Sequence, residues 1–502
     1  MAIIVFVVVM EITIVTTALV AVTDDIGGFE QSGWVLSSYL LGRVAVIVIF
    51  AKLSDIFGRK LIFTTSIALF VIFSGACGAV HTMTQLIICR AFQGAGGGGA
   101  HSLSTILVTE LVPSEKFAKL TAQLSIVTSL SMLLGPIIGG AISTETSWRW
   151  IFLINVPIGA FAFVLAIVGI PNGFPYQNQP SRQPPKFRDV ISKTTLDRLD
   201  IPGAVLLVLA TLSLTAGFEE AGSQFPWKSA YVISLLTISG VLWILLIAWE
   251  RYVTLNSSIR EPVLPWTFLT NRIMVGVLLS ILLIGGPQVV SIFQLPQRFQ
   301  LVHGLSGVEA GVRVIPFTIT ATFGIMVSST VASKFKIAPV YIALVGSCIS
   351  VVGFALLGTL PFSEDIPPQI YGYEILAGFG WGTNWAVLFI MVPFVISGRD
   401  KAVAMGSASE FQMMGSAIFL AIATSVFNEY TNPRLSGIAD TSDSGALTSL
   451  GKYLVSLPPQ TQEQIRLILA EGYNRQMLVL CGAAVAQVPV ALLLWKKNQI
   501  KI

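Results

Sequence analysis

Apolar runs of bilayer-spanning length recur along this chain so regularly that few water-soluble architectures remain open to it. Fourteen can be read, over residues 1–22, 34–50, 61–80, 85–108, 120–142, 151–170, 201–217, 231–249, 273–295, 309–332, 339–360, 370–396, 403–427 and 476–495. At about 1.5 Å of rise per residue, each is close to the ~30 Å of a hydrocarbon core. The chain is 54% hydrophobic and 11% charged, with a mean hydropathy of +0.79. A soluble protein of this size would need far more charge on its surface, so the reading is an all-α polytopic membrane protein. The net charge of +4 is spread over loops, which excludes a nucleic-acid footprint. Cys77, Cys89, Cys348 and Cys481 lie inside apolar runs and read as packing residues, without zinc spacing or a disulfide framework. The glycine run at 96–99 sits inside a span with no following Lys-Ser/Thr, so it is not a phosphate cradle. No catalytic triad appears, and the expectation is a non-enzyme without cofactors. The start, MAIIVFVVVM, reads as a membrane helix rather than a signal peptide.

The runs group as six, two and six. Residues 1–170 form a first bundle, and the polar, proline-containing stretch 171–200 is a cytoplasmic linker. Two inserted spans and a loop fill 201–272; a second bundle occupies 273–502, with a long outer loop at 428–475. The distribution of Lys and Arg puts both termini in the cytoplasm. On that topology the sequon Asn256-Ser257-Ser258 is cytoplasmic and unglycosylated. Thr461-Gln-Glu-Gln464 reads as the capping box of a short helix in the outer loop. A weak repeat sets RAFQGAGG at 90–97 against EILAGFGW at 374–381, so that Glu374 takes the place of Arg90.

Charges inside spans are the strongest functional signal, because each is expensive to bury. Glu11 lies midway through the first run and Arg43 midway through the second, where a structural Glu11–Arg43 pair is one reading. Arg90, Gln93, Gly94 and Gly97 share one face of the fourth span at i, i+3, i+4 and i+7. Gly135-Pro136-x-x-Gly139-Gly140 in the fifth combines a kink with small residues suited to sliding contact. Glu374 and Glu410 are further intramembrane carboxylates. Between spans two and three, residues 51–60 (AKLSDIFGRK) read as a short charged hairpin at the membrane surface. It holds Lys52, Asp55, Arg59 and Lys60, with Gly58 allowing a tight turn.

That hairpin resembles the signature loop G-x-L-x-D-x-x-G-R-K of the major facilitator superfamily, with Ala51 in place of the first Gly. The Arg90 and Gly135 motifs resemble those of its fourteen-span drug:proton antiporters, fungal toxin exporters included. So does MEITIVTTAL around Glu11, where Glu replaces Asp and Val20 replaces a Pro. The resemblance implies a major facilitator fold of 14 helices (6 + 2 + 6) exporting drugs, toxins or other amphipathic compounds against protons by alternating access. It implies proton coupling through Glu11, Arg90, Arg43 and Glu374, and gating by Asp55, Gly58, Arg59 and Lys60. Asp55 is expected at the helix N-terminus near Val403. Gly135, Pro136, Gly139 and Gly140 would form the antiporter motif, and Gln93, Gly94 and Glu410 would line the substrate cavity. The expected partners are a small organic substrate, protons and the lipid bilayer, with a monomeric working unit in the plasma membrane or, alternatively, the vacuolar membrane. A siderophore or basic amino-acid transporter of the same fold is the alternative.

Overall fold

The computed structural model describes residues 1–15, 18–27, 32–111, 114–171, 174, 197–221, 225–256, 260–363, 365–396, 400–435, 458–497 and 499. Among them twelve helices are long and apolar enough to cross a membrane. The first two helices, α1 (Ala2–Ile14) and α2 (Leu19–Ile26), divide the expected first span between them. α3 (Ser32–Phe57) and α4 (Arg59–Ala79) follow, then α5 (Met83–Leu111) and α6 (Ser114–Glu145). α5 is one continuous helix where the fourth span was expected, but it is not among the twelve. Its Arg90, Gln93, His101, Glu110 and glycines dilute its apolar character. α7 (Arg149–Leu153) and α8 (Asn155–Gly169) close the first series, and α9 (Ile201–Glu220) and α10 (Ala230–Asn256) are the inserted pair. Then come α11 (Trp266–Thr270), α12 (Arg272–His303), α13 (Gly307–Arg313), α14 (Ile315–Lys334), α15 (Pro339–Gly358), α16 (Gln369–Val395), α17 (Lys401–Leu435) and α18 (Pro459–Leu492). Most of the linker and the centre of the outer loop lie outside the described residues, as do Ser257 and Ser258.

The chain forms two compact units. The first comprises Met1–Ala216, Ser234–Leu278 and Phe389–Phe411; the second comprises Gly217–Ile233, Leu279–Leu388 and Gln412–Ile502. In the first, glycines let backbones meet. A Cβ at Gly98 would sit 3.0 Å from Arg43 Cα, and one at Gly94 would strike the Tyr39 backbone, so α3 packs directly on α5. Gly99 does the same towards α4, where Ser66 Oγ would lie 2.6 Å away. Without a hydrophobic drive between helices in lipid, such close approach supplies the packing energy. Met10, Ile14, Cys77, Leu86, Ile151 and Phe152 pack into one apolar core of this unit. On α10, Ile233, Ile238, Val241, Ile244 and Leu245 stay exposed, as suits a helix turned to lipid.

The second unit repeats the device. Gly378 meets the Phe317 backbone, Gly382 that of Ala321, and Gly380 lies against Ser350. Its core gathers Phe299, Phe317, Phe354, Leu357, Ala377 and Leu480, with a second cluster of Phe427, Ile465, Leu469 and Tyr473.

Two local expectations are corrected. The supposed capping box at Thr461–Gln464 lies inside α18, which begins at Pro459 with Pro458 as its N-cap. Proline at the first helical position loses no hydrogen bond, so the helix starts there and runs without a break through the last span. A capping box does exist at Ser306 and Glu309, at the start of α13. The stretch 51–60, expected as a short charged hairpin, is helical on both sides of a single residue. α3 continues to Phe57, Gly58 alone intervenes at φ 97°, and Lys52 and Arg59 are buried.

Candidate functional site

The first unit draws four helices onto one buried polar cluster. α1 brings Glu11, α4 brings Ser74, α5 brings Arg90 and Gln93, and α8 brings Asn155, all of them buried. Arg90 Nη1 donates to Glu11 Oε1 at 2.6 Å and to Gln93 Oε1 at 2.8 Å, while its Nε reaches the Val35 carbonyl at 3.1 Å. Asn155 Nδ2 donates to the other Glu11 oxygen and to Ser74 Oγ. Gln93 Nε2 also donates to Ser74 Oγ, at 3.0 Å, and that hydroxyl donates to the Phe152 carbonyl. The Arg90 guanidinium lies over the Tyr39 ring at 4.2 Å, and the Tyr39 hydroxyl donates to the Val8 carbonyl. Both Glu11 and Arg90 are 0% exposed. A pair so deep is held by the hydrogen bonds around it, although Arg90 Nη2 and Asn155 Oδ1 are buried without a partner among the described residues.

Arg43 does not belong to this cluster. It was weighed as the structural partner of Glu11, but Glu11 spends its oxygens on Arg90 and Asn155. Asn155 and Ser74 were missed by sequence reasoning. An Asn within the apolar run IFLINVPIGAF is itself a detectable signal, whereas nothing marks Ser74 among the many hydroxyls of these spans.

A second cluster ties together ends of α3, α4 and α5 in the same unit. Arg59 clamps Glu110 of α5 with two bonds of 2.8 Å, donates to Ser54 Oγ at 2.7 Å and pairs with Asp55 at 2.5 Å. Asp55 thus engages Arg59, and its carboxylate accepts no hydrogen bond from the start of α17. Lys52 pairs with Glu261 at 3.1 Å and Arg198 with the same carboxylate at 2.7 Å, joining the inserted region to α3. Residues 397–399 and the linker arginines at 182 and 188 lie outside the described residues.

At the opposite end, Asp25 accepts from Arg149 Nη1 at 2.5 Å and from Trp148 Nε1 at 3.0 Å. The hydrogen bond from Arg149, with that from Trp148, holds this exposed carboxyl below the usual aspartate range. Gly135 of α6 meets α1, where its Cβ would lie 3.0 Å from Thr13 Cβ; Pro136 is exposed, and a Cβ at Gly140 would meet nothing within 4 Å.

Glu374 belongs to the second unit, on α16. It is 0% exposed and neither carboxylate oxygen has a hydrogen-bond partner. Arg298 in that unit donates instead to Asn474 at 2.7 Å. Glu410, on the part of α17 that belongs to the first unit, is buried with Oε1 unpartnered.

A helical bundle of spanning length, closed by a buried ion pair and cinched by helix-to-helix glycines, defines a polytopic carrier. Residues 1–420 match the profile of the Major Facilitator Superfamily, and the chain belongs to that superfamily. It is therefore a multi-pass membrane protein with a small-molecule transporter fold. It is 36% identical over 492 residues to the MFS-type transporter FPY5 of Fusarium mangiferae, covering 98% of this chain and 82% of the relative. It is 30% identical over 464 residues to multidrug resistance protein 3 of Bacillus subtilis, covering 91% and 85%. Efflux pump roqT of Penicillium rubens is 30% identical over 421 residues, covering 83% and 74%. The proton:xylose symporter XylE shares the fold at a TM-score of 0.54 and 16% identity, covering 97% of this chain and 94% of that structure.

Proposed function

We propose that this chain is a proton-coupled exporter of amphipathic organic compounds, such as drugs or fungal toxins, that works by alternating access across a 6 + 2 + 6 arrangement of spans. The observation that carries the reading is the Glu11–Arg90 pair, fully buried and held by Asn155, Gln93 and Ser74. Burial favours the neutral carboxyl and a guanidinium favours the carboxylate, so separating the pair changes the proton affinity of Glu11. A helix movement that separates them takes up a proton, and the reverse movement releases it. Similarity to a relative named an efflux pump supports the outward direction of transport.

The inner cluster fits a gate. Asp55, Arg59 and Glu110 hold α3, α4 and α5 together at one end, with Gly58 as the joint and Lys60 one residue beyond. Glu374 is the second candidate proton carrier, and Glu410, Gln93 and Gly94 are assigned to the cavity. The working unit is taken as a monomer in the plasma membrane.

The test is transport of a diverse compound panel by proteoliposomes under an imposed pH gradient. Wild-type protein accumulates at least one amphipathic compound uphill, and Glu11→Gln loses the pH dependence. A Glu11→Gln variant with an unchanged pH profile would move the proton site to Glu374 or Glu410.

A further inference from the structure

Among the described residues of the first unit, the buried Arg43 has no acid to neutralise it. Arg43 stands near the middle of α3 and is 3% exposed. It donates no hydrogen bond and makes no ion pair among the described residues, and its Nε is sealed off without a partner. The other buried arginines are all engaged: Arg59 by Glu110, Arg90 by Glu11, Arg298 by Asn474.

The surroundings of Arg43 offer no compensation. Its Cγ would lie 3.0 Å from a Cβ at Gly98, which places the stem of the side chain against α5. Tyr39, one turn earlier on α3, gives its hydroxyl to the Val8 carbonyl and its ring face to Arg90. His101 on α5 lies near enough to feel the Arg43 charge, and it is another donor-bearing ring rather than an acid. Glu11 is already committed to Arg90 and Asn155. Val44, Ile47 and Val48 continue α3 as an apolar wall.

A guanidinium does not shed its proton inside proteins, and an isolated ion at this depth costs several kcal/mol. No counter-charge for it stands among the described residues, and a bound anion would supply one. The fork of five N–H donors matches a planar carboxylate through two parallel bonds. One uncompensated positive charge balances one negative charge, which favours a monoanion over a phosphate dianion. The apolar wall beside it suits a hydrocarbon body.

We propose that Arg43 recognises a carboxylate on the transported compound, so that the preferred cargo is a monoanionic organic acid with an apolar body. This rests on the exporter reading above and narrows it.

The test uses the full chain in lipid nanodiscs, with three acid and amide pairs: 1-naphthylacetate and its amide, indole-3-acetate and its amide, laurate and its amide. Sodium chloride alone serves as the inorganic-anion arm. For wild type, at least one acid raises the thermal unfolding midpoint by several degrees more than its amide, since ligand bound to the native state stabilises it. Arg43→Gln, with the uncompensated charge gone, unfolds at a higher temperature than wild type without ligand. It binds the acid at least tenfold more weakly and the amide unchanged, and Arg43→Lys falls between. The proposal is overturned if acid and amide act alike on wild type, if Arg43→Gln binds the acid normally, or if Arg43→Gln lowers the ligand-free midpoint as loss of a structural contact would. It is also overturned if chloride at the same concentration reproduces the acid's shift. Proton-driven uptake into vesicles is measured in parallel. Acid-selective binding without uptake sinks the exporter reading and leaves the Arg43 site standing; uptake of amides without acid selectivity does the reverse.

Discussion

The helices carrying Arg90 and Glu374 share a backbone plan and differ in their polar chemistry. On α5, Gly94, Gly96 and Gly98 press on Tyr39, Phe70 and Arg43; on α16, Gly378, Gly380 and Gly382 press on Phe317, Ser350 and Ala321. The spacing of two is the same in both, and so is the alternation between two neighbouring helices. Arg90 heads its row with a carboxylate, an amide and a carbonyl around it, whereas Glu374 heads its own with no hydrogen bond at all. Close helix packing has therefore been kept in both units, while of the two charges that head these rows only Arg90 is in an ion pair among the described residues.

The largest contrast should appear on removing the two charges. Arg90→Ala strands Glu11 in the interior, and breaking a buried pair in this way costs about 3–5 kcal/mol. Glu374→Gln removes a carboxyl that has no partner, so its unfolding midpoint should stay level or rise. Thermal unfolding of both purified variants decides the matter, and equal losses would break the comparison.

The glycine rows should instead behave alike. Gly98→Ala and Gly382→Ala each force a Cβ into a neighbouring backbone, which cannot move aside as a side chain can. Each should lose about 1–3 kcal/mol. A large inequality between them would show that the resemblance of the rows is superficial. The antiporter motif offers a sharper internal control. Gly135→Ala meets Thr13 and should destabilise, whereas Gly140→Ala enters open space and should leave unfolding and transport unchanged.

The packing rows were legible in the sequence because small residues at fixed spacing constrain backbone approach whatever their neighbours are. The spans were legible because lipid demands apolar length. Partner choice was not legible to the same degree. Arg90 stands out as a proton-coupling residue, but the sequence leaves Glu11 between two arginines inside spans. The choice turns on which helix each guanidinium points from, and periodicity along one helix does not report that. Glu110 was missed as the partner of Arg59 because a carboxylate at the end of a span looks like a solvated terminus. The first and fourth spans show the opposite limit. Their polar residues and the break after Ile14 serve the site at the expense of plain apolar length.

The smallest effect is expected at the outer staple. Asp25→Asn should lower stability slightly and should matter less as salt is added, because the pair is exposed. Its folded carboxyl lies below the ordinary value of 3.8, so the staple's contribution is complete above that pH and fades only as the pH falls below it. Unfolding midpoints of wild type and Asp25→Asn should differ near neutral pH and converge as the pH is taken below 3.8.

The single-residue joint at Gly58 has a mechanical consequence. Two long helices meet there with no intervening loop, and the residue on the far side of the joint is bolted to α5 through two bonds of 2.8 Å. Such a linkage has no backlash. A tilt of α3 at its inner end must reappear at once as a tilt of α4 or as strain on the Arg59–Glu110 bolt, since no slack chain lies between them to absorb it.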